Sequence, residues 1–229
     1  NIDLEYAKER GIYVGRTVGS NSIAVAEHVV ALMFAESKNL YTSIRDVKNH
    51  GWNKPTGREI NGKTLGIIGF GQIGKHLAQF AVGLGMKVLA YDVFEIPDEV
   101  AEQYHVTKAT QDEIIENSDF ISLHVPLLDS TRDMISTNEL KRMKKDACLI
   151  NAARGGIVNE KALYEALVNH EIRSACFDVY SDEPPKADDP LVALDNFLLT
   201  PHTAARSKES ERRTCEMSSQ IVMEQLLGK

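Results

Sequence analysis

The sequence has few cysteines and no long apolar runs, and each shortage excludes a class of protein. Its three cysteines, Cys148, Cys176 and Cys215, are far apart and form no CxxC motif or cluster with histidine. Disulfide-bonded secreted folds and zinc sites need closely grouped cysteines, so neither is expected, and no metal site is predicted. No apolar run is long enough to span a membrane, and the first residues do not form a signal peptide. We therefore expect a cytoplasmic protein.

Positive charge is also scarce, with 26 Lys and Arg against 33 Asp and Glu and a net charge of -7. This balance argues against nucleic acid or an anionic membrane as the main partner. A small anionic substrate remains possible, because a few arginines can dominate the field in a cleft. With 229 residues, 43% of them hydrophobic, the chain can bury a substantial core in one large domain.

Short apolar runs alternate with helical patterns through most of the chain. The runs are TLGIIGF, KVLAYD, FISLHV, ACLINA, SACFDV and FLLT, and the helical patterns cover 72–83, 111–117, 137–143 and 159–168. Nearly continuous apolar strands are typical of a parallel sheet that is buried on both faces. Their alternation with helices indicates βαβ units with right-handed crossovers. The predicted fold class is therefore α/β, with a doubly wound parallel sheet.

The segments outside this alternation are predicted to be mainly helical. Residues 2–14 suggest a short helix that stops at Gly11 and is followed by a strand. Residues 22–45 are predicted to form one long, largely buried helix with Ser22 as its N-cap. This apolar helix has no obvious cover within the chain, which favours association with a second copy. A final amphipathic helix is expected from about residue 204 to residue 227.

A glycine motif follows the first strand and opens the helix at 72–83. It consists of Gly69, Phe70, Gly71, Gln72, Ile73 and Gly74, and Asp92 stands at the end of the next strand. The three glycines permit a tight turn, close approach of a pyrophosphate, and close packing of helix on strand. A carboxylate at Asp92 can accept hydrogen bonds from ribose hydroxyls and repels a 2′-phosphate. The motif therefore predicts a Rossmann-type site for NAD rather than NADP.

Polar residues also follow three later strands, where ligands bind in an open α/β sheet. Arg154 lies before Gly155 and Gly156, and its guanidinium could bind a carboxylate. Glu183 follows the strand that ends near Asp178, and His202 follows the last strand. Histidine is an acid or base at neutral pH, and a neighbouring carboxylate would fix its tautomer. Alone, each of these residues could equally be a solvated surface group.

Together, the segments GFGQIG, YD, HVPL, NAARGG, DVYSDEP and TPHTA resemble the D-isomer-specific 2-hydroxyacid dehydrogenases, over nearly the whole chain. The resemblance implies that Arg154 binds the substrate carboxylate and carbonyl. It implies that Glu183 pairs with His202, which protonates the carbonyl oxygen as hydride arrives from NADH. Asp178 would face the nicotinamide carboxamide, and the backbone near Ala152 would lie close to the nicotinamide.

On the adenosine side, the resemblance implies a lining of His124, Val125 and Pro126, with Thr131 also near the cofactor. The remaining histidines match no functional motif and are interpreted as structural: His28, His50, His76, His105 and His170.

The resemblance also predicts how the chain is organised. Family members carry a flavodoxin-like substrate domain, most of which we expect to be absent here. Residues 1–21 would be its remnant and hinge, residues 22–203 the NAD-binding domain, and residues 204–229 a helix that returns toward the substrate domain. Residues 22–45 would form the dimerisation helix of a homodimer.

The leading interpretation is an oxidoreductase that interconverts a D-2-hydroxy acid and its 2-oxo acid. The alternative from another class is an NAD(H)-sensing module like the C-terminal-binding co-repressors, which resemble this family. The acidic charge gives no positive sign of such a role. Formate or phosphite oxidation on the same scaffold is a third possibility. The sequence leaves the identity of the hydroxy acid open.

Overall fold

The computed structural model describes residues 2–228 and builds them around one parallel sheet. The helices are α1 (Leu4–Glu9), α2 (Ser22–Ser37), α3 (Leu40–Lys48), α4 (Gln72–Gly83), α5 (Asp98–Gln103), α6 (Gln111–Asn117), α7 (Thr137–Arg142), α8 (Glu160–Val168) and α9 (Lys208–Leu227). The strands are β1 (Thr64–Ile68), β2 (Lys87–Tyr91), β3 (Thr107–Lys108), β4 (Phe120–Leu123), β5 (Cys148–Asn151), β6 (Ser174–Phe177) and β7 (Phe197–Leu199).

The seven strands lie in the order β3-β2-β1-β4-β5-β6-β7, and every neighbouring pair is parallel. Leu65 of β1 is in register with Val88 of β2 on one side and Phe120 of β4 on the other. The strand order therefore reverses between β1 and β4. In such a sheet, ligands bind at the carboxyl ends of the strands beside the reversal. The predicted doubly wound parallel fold is confirmed.

Both faces of the sheet are covered, which explains the continuous apolar strands. On one face, α2, α4 and α5 pack over a core that includes Val29, Ile67 and Leu77. On the other, α6, α7 and α8 pack over a core that includes Leu149 and Leu163. Strands β4, β5 and β6 are buried along their whole length. Within residues 2–228, no helix is both long enough and apolar enough to cross a membrane.

The prediction of one helix over residues 22–45 is wrong, because the helix is interrupted between α2 and α3. Asn39 has φ 51°, in the left-handed region that asparagine tolerates, and it redirects the backbone. Glu36 anchors the last turn of α2. Its carboxylate accepts hydrogen bonds from Arg173 Nε at 2.6 Å and from Arg58 Nη2 at 2.9 Å. The N–H of Arg58 also donates to the Ser37 carbonyl at 2.8 Å. These anchors lie far along the chain, so helical periodicity does not reveal them.

The expectation that this apolar helix lacks cover is also wrong for α2, which packs against α4 and β6. Val29 and Met33 of α2 are fully buried. The exposed apolar side chains are instead on α3, where Leu40, Tyr41, Ile44 and Val47 are each about half exposed. The apolar surface available to a partner therefore belongs to the second helix of the pair.

Smaller differences occur near the chain ends and at the edge of the sheet. Residues 12–14 form no strand and are mostly exposed. The final helix begins at Lys208, with Ser207 as its N-cap, rather than near residue 204. Helix α5 and strand β3 were not predicted, because both are short and their residues are mostly polar. Helix α9 contacts the N-terminal segment, where Arg213 Nε donates to the Ser20 carbonyl at 2.9 Å.

Candidate active site

The glycines between β1 and α4 meet three different steric demands. Gly69 has φ +99°, and a Cβ there would lie 2.5 Å from the His124 carbonyl oxygen. A Cβ at Gly74 would lie 2.5 Å from the Gly69 carbonyl oxygen, so only a hydrogen lets α4 approach the loop this closely. A Cβ at Gly71 would meet nothing within 4 Å. Gly71 therefore borders open space at the start of α4, where a pyrophosphate could approach the backbone.

Gln72 and Ile73 form the first turn of α4 and contribute backbone N–H groups. The first N–H groups of a helix have no acceptor within the helix, and they carry the positive end of its dipole. The N-cap residue Gly71 makes no side-chain hydrogen bond that would cap them. Gln72 is exposed, whereas Ile73 packs against the core. The helix start is thus held by Ile73 and is open to an anion.

Asp92 connects the end of β2 to the glycine loop. Its Oδ2 accepts the N–H of Phe70 at 2.6 Å, and its Oδ1 accepts the N–H of Phe94 at 3.0 Å. Each carboxylate oxygen keeps a further acceptor position, so hydroxyl donors can still bind. Val93 and Phe94 follow, and these residues are 81% and 80% exposed. Neither offers a positive charge to a 2′-phosphate.

The segment after β4 borders the glycine loop through its backbone. Val125 Cγ1 would lie 3.2 Å from a Cβ at Gly69, and Pro126 is exposed. The His124 ring turns inward instead, with Nε2 2.9 Å from Ser122 Oγ. Its Nδ1 is buried and has no hydrogen-bond partner among the described residues. Burial lowers the pKa of His124 to about 4, so the ring is neutral at physiological pH.

Thr131 closes the loop that follows β4. Its hydroxyl donates to the Pro126 carbonyl at 2.6 Å and accepts the N–H of Leu128 at 2.8 Å. The hydroxyl proton is therefore used within the loop, and the visible effect of Thr131 is to hold Pro126 beside the glycine loop.

His202 and Glu183 form a hydrogen-bonded pair after β7 and β6. His202 Nδ1 lies 2.7 Å from Glu183 Oε2, and the N–H of Tyr180 donates to Glu183 Oε1 at 3.0 Å. Burial raises the pKa of Glu183, but the hydrogen bonds from His202 and Tyr180 and the nearby charge of Arg154 outweigh it and hold the pKa below its ordinary value. Glu183 is thus ionised at neutral pH. With Nδ1 bonded to this carboxylate, Nε2 is the ring nitrogen that this pair leaves free.

Arg154 projects from a loop that lies directly against the segment carrying Glu183. A Cβ at Gly155 would lie 2.0 Å from the Tyr180 carbonyl oxygen, so this approach requires glycine. Asn151 holds the loop by donating from Nδ2 to the Arg154 carbonyl at 2.9 Å. The guanidinium is exposed, with Nη1 donating to the Ala153 carbonyl at 2.6 Å. Ala152, at the end of β5, is buried.

Asp178 is buried at the end of β6, with only 1% of its surface exposed. Its Oδ1 accepts the hydroxyl of Thr200 at 2.6 Å and the N–H of Thr203 at 2.9 Å. Its Oδ2 accepts the N–H of Ala204 at 2.7 Å. A cleft of about 300 Å³ lies beside it, with Glu183 and His202 among its lining residues. The carboxylate therefore holds the loop that carries His202.

Comparison with known proteins shows the family to which the chain belongs. A family model described as "D-isomer specific 2-hydroxyacid dehydrogenase, NAD binding domain" matches residues 30–204. The chain belongs to this family. Its strand order and its glycine loop are therefore those of an NAD-binding dehydrogenase domain, and the resemblance drawn from the sequence motifs is confirmed, as is NAD as the cofactor.

Relatives of this dehydrogenase domain include enzymes that act on different acids. The chain is 41% identical to D-3-phosphoglycerate dehydrogenase of Methanocaldococcus jannaschii, over 100% of the chain and 44% of the relative. It is 40% identical to hydroxypyruvate reductase of Thermotoga maritima, over 93% of the chain and 70% of the relative. The chain thus spans less than half of the first relative's length.

Among solved structures, D-lactate dehydrogenase of Lactobacillus jensenii, described with NAD⁺, superimposes with a TM-score of 0.89 and 37% identity. The match covers 100% of this chain and 73% of that one.

The dehydrogenase domain brings one further residue to the site that the sequence interpretation left as structural. His28 of α2 lies with Nε2 2.9 Å from Thr200 Oγ1 and 3.5 Å from Asp178 Oδ1. No local signal marks it, because a single histidine in an apolar helix is more often a core residue. Only the packing of α2 on the sheet brings it to the strand ends.

No group of three or more His, Cys, Asp and Glu side chains within residues 2–228 is arranged to hold a metal ion.

Proposed function

We propose that this domain carries the NAD site and the acid–base pair of an enzyme that interconverts a D-2-hydroxy acid and its 2-oxo acid. One observation carries the proposal. The His202–Glu183 pair, at 2.7 Å, stands at the same edge of the sheet as the glycine loop and the start of α4. A dinucleotide site and an oriented histidine at one edge are what a hydride transfer coupled to a proton transfer requires.

The residues at the nucleotide end fit NAD. The open space at Gly71 and the uncapped N–H groups of Gln72 and Ile73 suit a pyrophosphate. The Asp92 carboxylate suits ribose hydroxyls and disfavours a 2′-phosphate. When bound, NADH would supply the hydride. The residues of the chain would bind and orient the reactants and move the proton.

At the reacting end, we assign His202 as the acid and base. Glu183 holds Nδ1, so that Nε2 can give a proton to the carbonyl oxygen during reduction and accept it during oxidation. Arg154 would bind the substrate carboxylate, a role suited to its exposed guanidinium beside this pair. Asp178 and Ala152 would border the nicotinamide. The adenosine side would be bordered by Val125, Pro126 and Thr131, and the inward-facing ring of His124 would support that segment.

NADH oxidation with a panel of 2-oxo acids tests the proposal. Glyoxylate, hydroxypyruvate, pyruvate and phosphohydroxypyruvate form the panel, and the fluorescence of NADH itself, titrated with the protein, reports binding in parallel. Turnover of any panel member supports the proposal, and a chain that does not bind NADH contradicts it. Binding without turnover would favour the sensor alternative, unless the full-length gene product turns over. The names of the relatives, all dehydrogenases and reductases, favour the enzyme.

A matched pair of variants tests the role of His202. His202→Asn should lower turnover by about 10²-fold or more while NADH affinity is retained. Asparagine is chosen because the backbone of His202 has φ 53°, which asparagine tolerates. The control is His170→Asn, because His170 has φ 52° and is exposed at the end of α8. Equal activity of the two variants would remove His202 from the mechanism.

We also propose that the protein is a homodimer, with the contact on α3 rather than α2. The side chains of Leu40, Tyr41, Ile44 and Val47 recur at helical spacing and are about half exposed. Sedimentation of the 25.4 kDa chain should give a dimer, and Ile44→Glu should give a monomer. Val222 of α9 is equally exposed, so Val222→Glu is the control and should remain dimeric. A wild-type monomer would contradict the proposal.

Two further assignments remain proposals. The first divides the chain into an NAD-binding unit at residues 22–203 and end segments, 1–21 and 204–229, that belong with a substrate-binding unit. The contact of Ser20 with Arg213 and Thr214 supports it by joining the two end segments.

The second assignment is a cytoplasmic location. Cys148 and Cys176 lie buried as free thiols, with Sγ atoms 3.8 Å apart, which suits a reducing compartment.

A further inference from the structure

His28 extends a hydrogen-bonded chain from α2 to the loop that carries His202. Its side chain is 21% exposed, whereas that of Asp178 is 1% exposed. Thr200 Oγ1 lies between them, 2.9 Å from His28 Nε2 and 2.6 Å from Asp178 Oδ1. The three polar groups therefore form one connected unit below the cleft.

The direction of the hydrogen bonds follows from the number of protons available. A threonine hydroxyl has one proton, and its short contact with the Asp178 carboxylate is a charge-assisted bond that takes this proton. Thr200 Oγ1 must then accept from His28, so Nε2 carries a hydrogen. Without that donor, the hydroxyl could turn toward the Phe177 carbonyl, which lies at 3.3 Å. His28 thus favours the orientation in which Thr200 bonds to Asp178.

This unit fixes the backbone on both sides of His202. Asp178 bonds to Thr200 before it and to the N–H groups of Thr203 and Ala204 after it. His202 has φ 53°, a conformation that costs free energy in a residue with a side chain and persists only where neighbours enforce it. The hydrogen bonds around Asp178 supply that restraint.

We propose that His28 is a positioning residue, which acts through Thr200 and Asp178 to hold the loop that presents His202 to Glu183. Its importance for catalysis rests on the proposed function, whereas its effect on the loop does not. His28 contacts Thr200 and Asp178, not the His202–Glu183 pair, and it orders the segment between β7 and α9.

Two substitutions of His28 separate its hydrogen bond from its packing. His28→Leu keeps an apolar side chain of moderate size but removes the donor. His28→Gln keeps an N–H donor at a comparable distance from the backbone. Val30→Ala is the packing control, because Val30 is a partly buried residue of the same helix that packs against the core. The measurement is amide hydrogen exchange at Thr203 and Ala204, compared with the buried amides of β5, under conditions where all variants remain folded.

We expect His28→Leu to speed exchange at Thr203 and Ala204 by about tenfold relative to β5, which corresponds to about 1.4 kcal/mol and to the loss of one hydrogen bond. His28→Gln should stay within about twofold of the wild type. Val30→Ala should change exchange in α2 and the core without selecting Thr203 and Ala204.

Unchanged exchange in His28→Leu would overturn the proposal, as would equal acceleration in the Leu and Gln variants. Acceleration spread equally over the chain would also overturn it, because it would indicate packing alone. NADH binding by the wild-type chain is measured on the same sample. Failure to bind NADH would contradict the proposed function and leave the exchange result to decide the role of His28.

Discussion

The glycine loop allows cofactor binding and folding to be perturbed separately. Gly71 borders open space and has an extended backbone with a negative φ of -77°. Gly74 is enclosed, because a Cβ there would lie 2.5 Å from a backbone oxygen. We therefore predict that Gly71→Asp weakens NADH binding without loss of stability, whereas Gly74→Ala lowers stability.

The size of each effect follows from its surroundings. Aspartate is a preferred N-cap and favours the positive end of α4, so Gly71→Asp should not destabilise the helix. Its charge would face the pyrophosphate, and repulsion between unit charges at about 4 Å costs about 4 kcal/mol at an effective dielectric constant of about 20. Half of this would lower NADH affinity about 30-fold.

For Gly74→Ala, overpacking costs about 1–3 kcal/mol. The better helix propensity of alanine returns about 1 kcal/mol of this. The net loss, up to about 2 kcal/mol, corresponds to a fall in Tm of up to about 8 °C for a chain of this size.

Thermal melting and NADH titration of the same samples test both predictions. Gly83→Ala is the control, since Gly83 also belongs to α4 and a Cβ there would meet nothing within 4 Å. It should retain affinity and melt at or slightly above the wild-type temperature. A Gly71→Asp variant that binds NADH normally would refute the placement of the pyrophosphate. A Gly74→Ala variant as stable as the control would refute the steric argument.

Three other predictions use charged or titratable groups. Asp92→Ala should reduce the preference for NADH over NADPH, and an unchanged ratio of dissociation constants would argue against the ribose assignment. Glu36→Ala leaves Arg58 and Arg173 without their buried carboxylate and should lower the free energy of unfolding in urea by about 3 kcal/mol. Glu216 forms an exposed pair with Arg212, so the control Glu216→Ala should cause no measurable loss of stability. Burial lowers the pKa of His124 from 6.5 to about 4, so on acidification the unfolded chain binds a proton at this histidine before the folded chain does. The free energy of unfolding should therefore fall by about 3 kcal/mol as the pH drops from 6.5 to about 4. His124→Gln should lose correspondingly less stability between these pH values, and parallel pH curves for the two proteins would contradict the assignment.

The features that can be predicted from the sequence alone are those that depend on residues close together in the chain. Strands β1, β4, β5 and β6 are buried on both faces, so their composition is continuous and apolar and can be recognised without partners. The glycine motif is equally local, because a turn, an open helix start and a close contact each require glycine at a fixed position. Short polar elements such as β3 lack this signal and were missed.

Features that depend on distant residues could not be predicted in this way. The break at Asn39 coincides with the anchoring of Glu36 by Arg58 and Arg173, which are remote in sequence. Helical periodicity continues across residues 38–39 and gives no indication of it. The cover of α2 by α4 is likewise a property of the assembled sheet.

The candidate site combines both kinds of information. Glu183 and His202 were each weak candidates alone, and their pairing at 2.7 Å depends on β6 and β7 being neighbours in the sheet. His28 had no sequence signal, yet it reaches the same loop through Thr200 because α2 crosses the sheet there. A motif can therefore identify groups with reactive chemistry. The residues that hold those groups in position belong to other elements, and only the packing of those elements brings them to the site. Such residues are found by following the hydrogen bonds of a buried carboxylate, here Asp178, outward from the site.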